Sequence, residues 1–186
     1  MQAAAFGGLA AGATPAVVER LRAAPVRVRR VLDVGCGAGV STRILVEAGF
    51  DTVAIEPSPS LLAMARQAAP GARFVQGSAY GVPLEPCEGV LALGEPLTYH
   101  APEADAEARL RGFLAAAARA LAPGGLLAFD LIVTDGPGLD GRGWVSAEGW
   151  AILYETREDR PRRRLTRTIE TFRRAEAGAG YRRARE

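Results

Sequence analysis

The distribution of apolar and polar residues over the first two thirds of the chain predicts strands and helices in alternation. Short apolar runs bounded by turn-forming residues predict five strands, which are Val31–Val34, Thr52–Glu56, Arg73–Gln76, Gly89–Leu93 and Leu126–Leu131. The segments between the first three strands, and the long segment before the last, carry apolar residues three and four positions apart, as amphipathic helices do. This order predicts a doubly wound α/β fold, in which a parallel sheet carries helices on both faces.

Local signals predict where several helices begin and end. Thr14-Pro15 and Ser58-Pro59 each place a capping residue before a proline, which favours the start of a helix. Gly49 follows an apolar helical stripe and is a typical helix stop. The longest helix is predicted from about Glu103 to Leu121, with Pro123-Gly124-Gly125 ending it.

The pattern changes after Thr134. A glycine-rich loop, D-G-P-G-L-D-G-R-G, precedes three segments with strand-like alternation, which span about Trp150–Arg157, Leu165–Arg173 and Tyr181 to the end. They predict antiparallel strands added to the parallel core. We therefore expect one domain over residues 1–186, with an α/β core at 1–134 and antiparallel strands at 135–186. The sequence leaves open whether these strands complete the sheet or whether the final strands are missing through C-terminal truncation.

Composition narrows the class of protein. The two cysteines, Cys36 and Cys87, form no disulfide framework and have no metal-ligand spacing, so we expect no metal and a reducing cytoplasm. No apolar run approaches the roughly 20 residues of a membrane span. All 23 basic residues are arginine, which together with the many alanines and glycines favours a bacterial, GC-rich origin.

The final 32 residues are basic. Residues 155–186 hold 11 arginines and six acids, a net charge of +5. The arginines alternate with Glu and Thr on predicted strands and have few aromatic neighbours, which predicts a solvated strand face and no nucleic-acid partner.

The segment V-L-D-V-G-C-G-A-G-V-S-T, residues 31–42, joins the first strand to the next helix. Gly35, Gly37 and Gly39 remove side chains from one edge of this turn, so its backbone can approach a ligand closely. Glu56 ends the second strand 21 residues after Gly35 (56 − 35 = 21), the spacing of one strand–helix–strand unit. Its carboxylate is therefore expected beside the glycine turn, where it accepts hydrogen bonds from a ribose diol.

Two families of nucleoside-binding proteins share this layout. The dinucleotide fingerprint G-x-G-x-x-G requires glycine where this chain has Val40, and a nicotinamide-dependent oxidoreductase is therefore the weaker alternative. The D-x-G-x-G-x-G pattern that begins at Asp33 resembles the first motif of the class I, Rossmann-like, S-adenosylmethionine-dependent methyltransferases. Successive motifs extend the resemblance from Val31 to Leu131.

The resemblance implies an enzyme that moves a methyl group from S-adenosylmethionine to an O, N or C atom of a small molecule by in-line displacement, with S-adenosylhomocysteine as product. A protein that binds this cofactor without turnover, or one that needs a partner to complete its sheet, remains open. No membrane partner is expected, and the oligomeric state is not predicted.

The resemblance also assigns site residues. The glycine loop would contact the methionine part of the cofactor, and Asp33 would lie close to the amino group of that part. Glu56 would bind the ribose, and the segments after the second and third strands would lie beside the adenine. The end of the fourth strand would line the sulfonium side. The residues are Asp33, Gly35, Cys36, Gly37, Gly39, Glu56, Pro57, Ser78, Ala79, Gly94 and Glu95.

Candidates for a general base follow the fourth strand. Tyr99 and His100 lie there, and a base is needed only if the acceptor arrives protonated. His100 is the only histidine, and a solvated loop residue without a task is the alternative. Asp130 either faces the substrate or caps the loop that follows it.

Overall fold

The structure is a computed structural model that describes residues 7–99, 105–133, 136–175 and 180–185. The chain divides into two compact units, the first ending at Ile132 and the second beginning at Val133. The described part of the first unit contains α1 Gly8–Arg22, β1 Arg30–Val34, α2 Val40–Glu47, β2 Asp51–Glu56, α3 Pro59–Ala68, β3 Arg73–Gln76, β4 Cys87–Ala92, α4 Ala106–Ala120 and β5 Leu121–Phe129. That of the second contains β6 Gly141–Ala147, β7 Trp150–Asp159, β8 Arg164–Arg174 and β9 Tyr181–Arg185.

The strands of the first unit form one parallel sheet in the order β3-β2-β1-β4-β5. β1 pairs with β2 on one side, where Leu32 lies opposite Val53, and with β4 on the other, where Leu32 lies opposite Val90. The strand order reverses between β1 and β4. In open α/β sheets such a switch point creates a crevice beyond the carboxyl ends of the strands, and ligands bind there.

Helices pack against both faces of this sheet. Alternate residues of β1 and β4 point to opposite faces, so Leu32 and Val90 join a buried cluster with Phe113 of α4. Val31 and Leu91 belong to a second cluster with residues of α1 and α2. The predicted doubly wound α/β class is confirmed.

The helix signals had two outcomes. Ser58 caps α3 by accepting a hydrogen bond from the Leu61 amide at 3.4 Å, and Gly49 follows α2 with φ +91°, as predicted. The predicted start at Thr14-Pro15 is wrong, because α1 begins at Gly8 and runs through the proline. Pro15 cannot donate to the carbonyl one turn back, whereas the Thr14 hydroxyl donates to the Ala10 carbonyl at 2.5 Å. Tertiary burial of the helix therefore overrides the local signal.

The boundary between α4 and β5 also differs from its prediction. α4 ends at Ala120, and β5 begins at once with Leu121, which pairs with Cys87. Gly89 then pairs with Leu126, so the Pro-Gly-Gly segment forms an irregular part of β5 and does not end the helix. Pairing with β4 extends the strand further toward the N-terminus than its apolar run indicates. The predicted helix start at Glu103 lies outside the described residues.

The second unit contains its own antiparallel sheet, in the order β6-β7-β8-β9. The three predicted strands are present, and the antiparallel addition is confirmed as a sheet distinct from the parallel one. β6 was predicted as loop over residues 141–143, and this is wrong. A Cβ on Gly143 would lie 2.3 Å from the Tyr154 hydroxyl, so the glycine makes room for an aromatic ring of β7. The residue pattern alone predicts a loop at such a glycine, because it contains no information about the side chains of the partner strand.

Charged side chains pair across the second sheet. Arg142 lies 2.7 Å from Glu155, and Arg183 lies 2.5 Å from Glu170. The described residues of β9 are all exposed, as expected for the solvated strand face predicted from the alternation of Arg with Glu and Thr. None of the helices in the described part of the chain combines the length and the apolar character needed to cross a bilayer.

We expect Gly39→Ala to destabilise the protein. Gly39 precedes α2 with φ +85°, and a Cβ there would lie 2.8 Å from the Ala65 Cα of α3. Left-handed strain and overpacking together predict a loss of about 2–4 kcal/mol in the free energy of unfolding. Urea unfolding followed by circular dichroism measures it.

Gly12→Ala provides the matched control. Gly12 lies inside α1, and a Cβ added there would have no described atom within 4 Å apart from its chain neighbours and the backbone of its own helix, so alanine should stabilise by about 0.5–1 kcal/mol. Equal effects of the two substitutions would contradict the packing of Gly39 against α3.

Candidate functional site

The glycine loop between β1 and α2 lies at the switch point of the sheet. Gly35, Gly37 and Gly39 have φ values of +74°, +55° and +85°. A Cβ on Gly35 would lie 2.2 Å from the Pro96 Cβ, whereas on Gly37 that position has no described atom within 4 Å other than those of the glycine and its two chain neighbours. The first and third glycines therefore let neighbouring segments approach, and the second leaves the side of the loop open.

Backbone hydrogen bonds fix this loop to β2. The amides of Gly35 and Cys36 donate to the Ile55 carbonyl at 2.8 and 3.1 Å. Cys36 itself is buried, and burial raises the pKa of its thiol, with the charges of Asp33 and Glu56 acting in the same direction. The thiol is therefore protonated near neutral pH and is no nucleophile.

The Glu56 carboxylate links the loops after β1 and β2. Its Oε2 accepts a hydrogen bond from the Gly37 amide at 3.0 Å, and its Oε1 accepts one from the Ser58 amide at 2.9 Å. Glu56 is only 6% exposed. The structure thus places Glu56 at the glycine loop, as the spacing along the chain predicts. Each carboxylate oxygen has a second lone pair with which it can accept a further donor.

Asp33 lies beneath the glycine loop. Its Oδ2 accepts hydrogen bonds from the hydroxyls of Ser41 and Thr42 at 2.7 and 2.6 Å, and the residue is 1% exposed. Burial raises the pKa of this carboxyl, while the two hydroxyls act in the opposite direction. Asp33 therefore joins the end of β1 to the first turn of α2, and its predicted contact with a cofactor amino group stays a prediction.

The segment after β3 approaches the same edge. The Gly77 amide donates to the Glu56 carbonyl at 3.1 Å. The Ser78 hydroxyl is exposed and accepts from the Tyr80 amide at 3.2 Å, while Ala79 packs partly against the core. Ser78 and Ala79 thus lie in a turn at the carboxyl edge of the sheet, and their role toward adenine stays a prediction.

Tyr80 is a residue that sequence reasoning missed. Its hydroxyl donates to the Leu97 carbonyl, and its ring meets Phe113 edge-on at 6.5 Å. The Arg109 guanidinium lies 5.1 Å from the centre of the ring. Tyr80 therefore joins the segment after β3 to the segment after β4. An aromatic residue directly after Ser78 and Ala79 was the available signal.

The segment after β4 contains two successive left-handed residues, Gly94 with φ +90° and Glu95 with φ +67°. The Asp130 carboxylate, just after β5, accepts hydrogen bonds from both of their amides, at 2.8 and 3.0 Å. These hydrogen bonds of the Asp130 carboxylate are thus with the segment after the neighbouring strand and not with the loop that follows Asp130, whereas a contact with the substrate stays a prediction.

The two candidate bases have different outcomes. Tyr99 follows β4 at the carboxyl edge and is 60% exposed. His100 lies outside the described residues. A role of either residue as a general base stays a prediction, as does the contact of exposed Pro57 with adenine.

Residues 31–125, which are 95 of the 186 in the chain, match the family model described as a methyltransferase domain. The chain belongs to this family. The methyltransferase resemblance drawn from the D-x-G-x-G-x-G pattern is therefore confirmed, and the nicotinamide-dependent alternative loses its support.

Three relatives illustrate the similarity of this methyltransferase-family chain to known proteins. The trans-aconitate 2-methyltransferase of Methylobacterium nodulans is 38% identical over 105 residues, which cover 55% of this chain and 38% of that protein. The S-adenosylmethionine-bound structure of CalS10, an amino pentose methyltransferase from Micromonospora echinaspora, is 26% identical with a TM-score of 0.73 and covers 97% of this chain and 75% of that one. The sugar N-methyltransferase KedS8 from a Streptoalloteichus species is 26% identical with a TM-score of 0.72, and the match covers 96% of this chain and 70% of that one. In the curated relatives compared, the matched segments cover 24% to 45% of the protein's length.

We expect the stability of Asp33→Asn, relative to the wild type, to improve as pH rises. Because the folded pKa of Asp33 lies above its unfolded value, the folded protein binds this proton more tightly than the unfolded chain does. The resulting stabilisation is complete below about pH 4 and is lost as pH rises through the folded pKa. Urea unfolding of both proteins between about pH 3.5 and 7 measures the difference.

Ser41→Ala is the control for this titration. It keeps the Asp33 carboxyl but removes one hydroxyl that lowers the pKa, so the pH-dependent loss should extend to higher pH than in the wild type. A difference between Asp33→Asn and wild type that is independent of pH would contradict the assignment.

Proposed function

We propose that this chain is an S-adenosylmethionine-dependent methyltransferase that methylates an amine of a small molecule. The observation that carries the cofactor assignment is the Glu56 carboxylate, which lies 3.0 Å from the Gly37 amide where the loop leaves free space. A buried acid beside an open glycine at a switch point is suited to the ribose hydroxyls of an adenosyl group.

Different residues at the carboxyl edge of the sheet bind different parts of the cofactor. Glu56 accepts the ribose hydroxyls with the lone pairs that its backbone hydrogen bonds leave over, and those bonds hold the carboxylate in place. Gly35 and Gly37 lie along the methionine part of the cofactor. The adenine lies beside Pro57, Ser78 and Ala79. The sulfonium side is lined by Gly94 and Glu95. The neutral Ser78 hydroxyl binds adenine more weakly than an acid would.

The bound cofactor supplies an electrophilic methyl group and leaves as S-adenosylhomocysteine. The protein contributes mainly position, and in-line alignment of nucleophile and methyl carbon supplies up to about 7–11 kcal/mol of the barrier. An amine arrives protonated near neutral pH, so a base is required. Tyr99 and His100 are the proposed proton acceptors, directly or through water.

The charges at the carboxyl edge favour an amine over a polycarboxylate acceptor. In the loop residues at the carboxyl ends of the five parallel strands, at 35–39, 57–58, 77–82, 93–99 and 130–133, the described residues include Glu95 and Asp130 but no arginine, and the chain contains no lysine. A tricarboxylate such as trans-aconitate would meet like charge in these loops, whereas an ammonium group would meet opposite charge. The names of CalS10 and KedS8 support an aminosugar-like acceptor.

The two free thiols support a location in a reducing compartment. Cys36 and Cys87 are both free and buried, and burial raises the pKa of the Cys87 thiol to about 11. Free thiols suit a reducing compartment such as the cytoplasm, where we place this protein.

Glu56→Gln should weaken binding of both S-adenosylmethionine and S-adenosylhomocysteine. The amide cannot accept from both backbone donors and the ribose as a carboxylate does. The net value of hydrogen bonds to a charged group predicts a Kd raised by about 10- to 150-fold, or roughly 1.5–3 kcal/mol. Isothermal titration calorimetry with both compounds, and with NADH as a comparison, measures the change.

Glu47→Gln is the matched control, because Glu47 is exposed on α2 and pairs with Arg43 of the same helix at 2.8 Å. It should bind like the wild type. Unchanged affinity in Glu56→Gln would remove Glu56 from the site, and binding of NADH alone by the wild type would overturn the cofactor assignment.

Methyl transfer should be faster to amines than to carboxylates. With radiolabelled S-adenosylmethionine, we expect aminosugars to accept the label at least about tenfold faster than trans-aconitate, which corresponds to about 1.4 kcal/mol in the transition state. Faster transfer to trans-aconitate would contradict the acceptor class. Tight binding without transfer to any compound would instead indicate a cofactor-binding protein without turnover.

A further inference from the structure

We propose that Asp130 is a positioning residue for methyl transfer, acting through the backbone of Gly94 and Glu95. This inference rests on the function proposed above. Asp130 directly follows β5, and the two residues it binds follow β4, the neighbouring parallel strand, in which Ala92 lies opposite Phe129. Strand pairing therefore delivers the carboxylate to the first residues beyond β4.

The contact is a double hydrogen bond to a strained turn. Asp130 Oδ1 lies 2.8 Å from the Gly94 amide, and Oδ2 lies 3.0 Å from the Glu95 amide. Glu95 has φ +67°, a left-handed conformation that costs free energy for a residue with a Cβ. Two successive amides that converge on one anion form a concave binding geometry, and hydrogen bonds to a carboxylate are stronger than neutral ones. Asp130 thus compensates for the strain at Glu95.

The turn decides where the next two residues lie. Pro96 packs so closely on the glycine loop that a Cβ on Gly35 would lie 2.2 Å from its Cβ. The carbonyl of Leu97 is bound by the Tyr80 hydroxyl. Asp130 at one end and Tyr80 at the other therefore hold the segment 94–97 against the loop proposed to bind the cofactor. A released turn would displace Gly94 and Glu95 on the sulfonium side while leaving Glu56 and the glycine loop in place.

The alternative is that Asp130 contacts the cofactor or acceptor directly. The two cases differ in their dependence on Glu95. If Asp130 acts by holding the turn, a residue that adopts positive φ without strain at position 95 reduces the need for it. If Asp130 binds the ligand, the residue at position 95 makes no difference to its effect.

A double-mutant cycle tests the proposal with S-adenosylhomocysteine as the probe in calorimetry. The proteins are wild type, Asp130→Ala, Glu95→Gly and the double variant. We expect Asp130→Ala to weaken binding about tenfold when Glu95 is present and less than about threefold when Glu95→Gly is also present, because contacting residues couple. Equal losses in the two backgrounds would overturn the proposal.

Two further variants separate positioning from loss of folding. Asp130→Asn keeps one acceptor oxygen, so it should fold and give an intermediate loss of affinity that is suppressed in the same way by Glu95→Gly. Asp105→Ala is the structural control, since the Asp105 carboxylate caps α4 by accepting from the Ala108 amide at 2.9 Å. It should lower the urea midpoint and leave affinity unchanged; a similar loss of affinity in this variant would indicate that Asp130 has a merely structural role.

Cofactor binding by the wild type distinguishes a failure of the Asp130 proposal from a failure of the proposed function. If the folded wild type binds neither S-adenosylhomocysteine nor S-adenosylmethionine, the cofactor assignment fails and the positioning role fails with it. If the wild type binds and the cycle shows no coupling, only the role of Asp130 fails.

Discussion

Two backbone amides bound to one buried carboxylate hold the candidate site together. The Gly37 and Ser58 amides donate to Glu56, so the loop after β1 and the start of α3 are fixed to the same side chain. A buried carboxylate needs such partners, because leaving it without them would cost several kcal/mol. These two hydrogen bonds therefore tie the glycine loop to the start of α3. The segment after β3 joins the same point through the Glu56 carbonyl.

A second set of contacts builds the opposite wall of the crevice. Asp130 binds the turn at Gly94 and Glu95, and Tyr80 binds the carbonyl that follows Pro96. These contacts come from β5 and from the segment after β3, which lie at opposite edges of the sheet. Residues from both edges of the sheet thus support the site, although the glycine loop and Glu56, which are proposed to bind the cofactor, lie near the centre of the sheet. Its carboxylates also give the edge a negative character, which is consistent with the proposed cationic cofactor and the proposed amine acceptor.

Local patterns predicted the first unit well because its elements follow local rules. The strands at β2 and β3 agree within one residue with their apolar runs, and the Ser58 cap and Gly49 stop are present. The failures occur where distant segments override those rules. α1 continues through Pro15 because its buried residues pack on the sheet, and β6 includes Gly143 because Tyr154 occupies the space beside it.

The sequence by itself determined the order of the elements, the fold class and the approach of Glu56 to the glycine loop, since the alternation of apolar residues and the spacing of one strand–helix–strand unit are local properties. Only the tertiary structure decided that Asp33 is buried against Ser41 and Thr42, and that Asp130 and Tyr80 support the segment after β4. Those contacts join residues that are 8 to 36 positions apart. They depend on strand order and on side-chain packing, which no periodic pattern along the chain encodes.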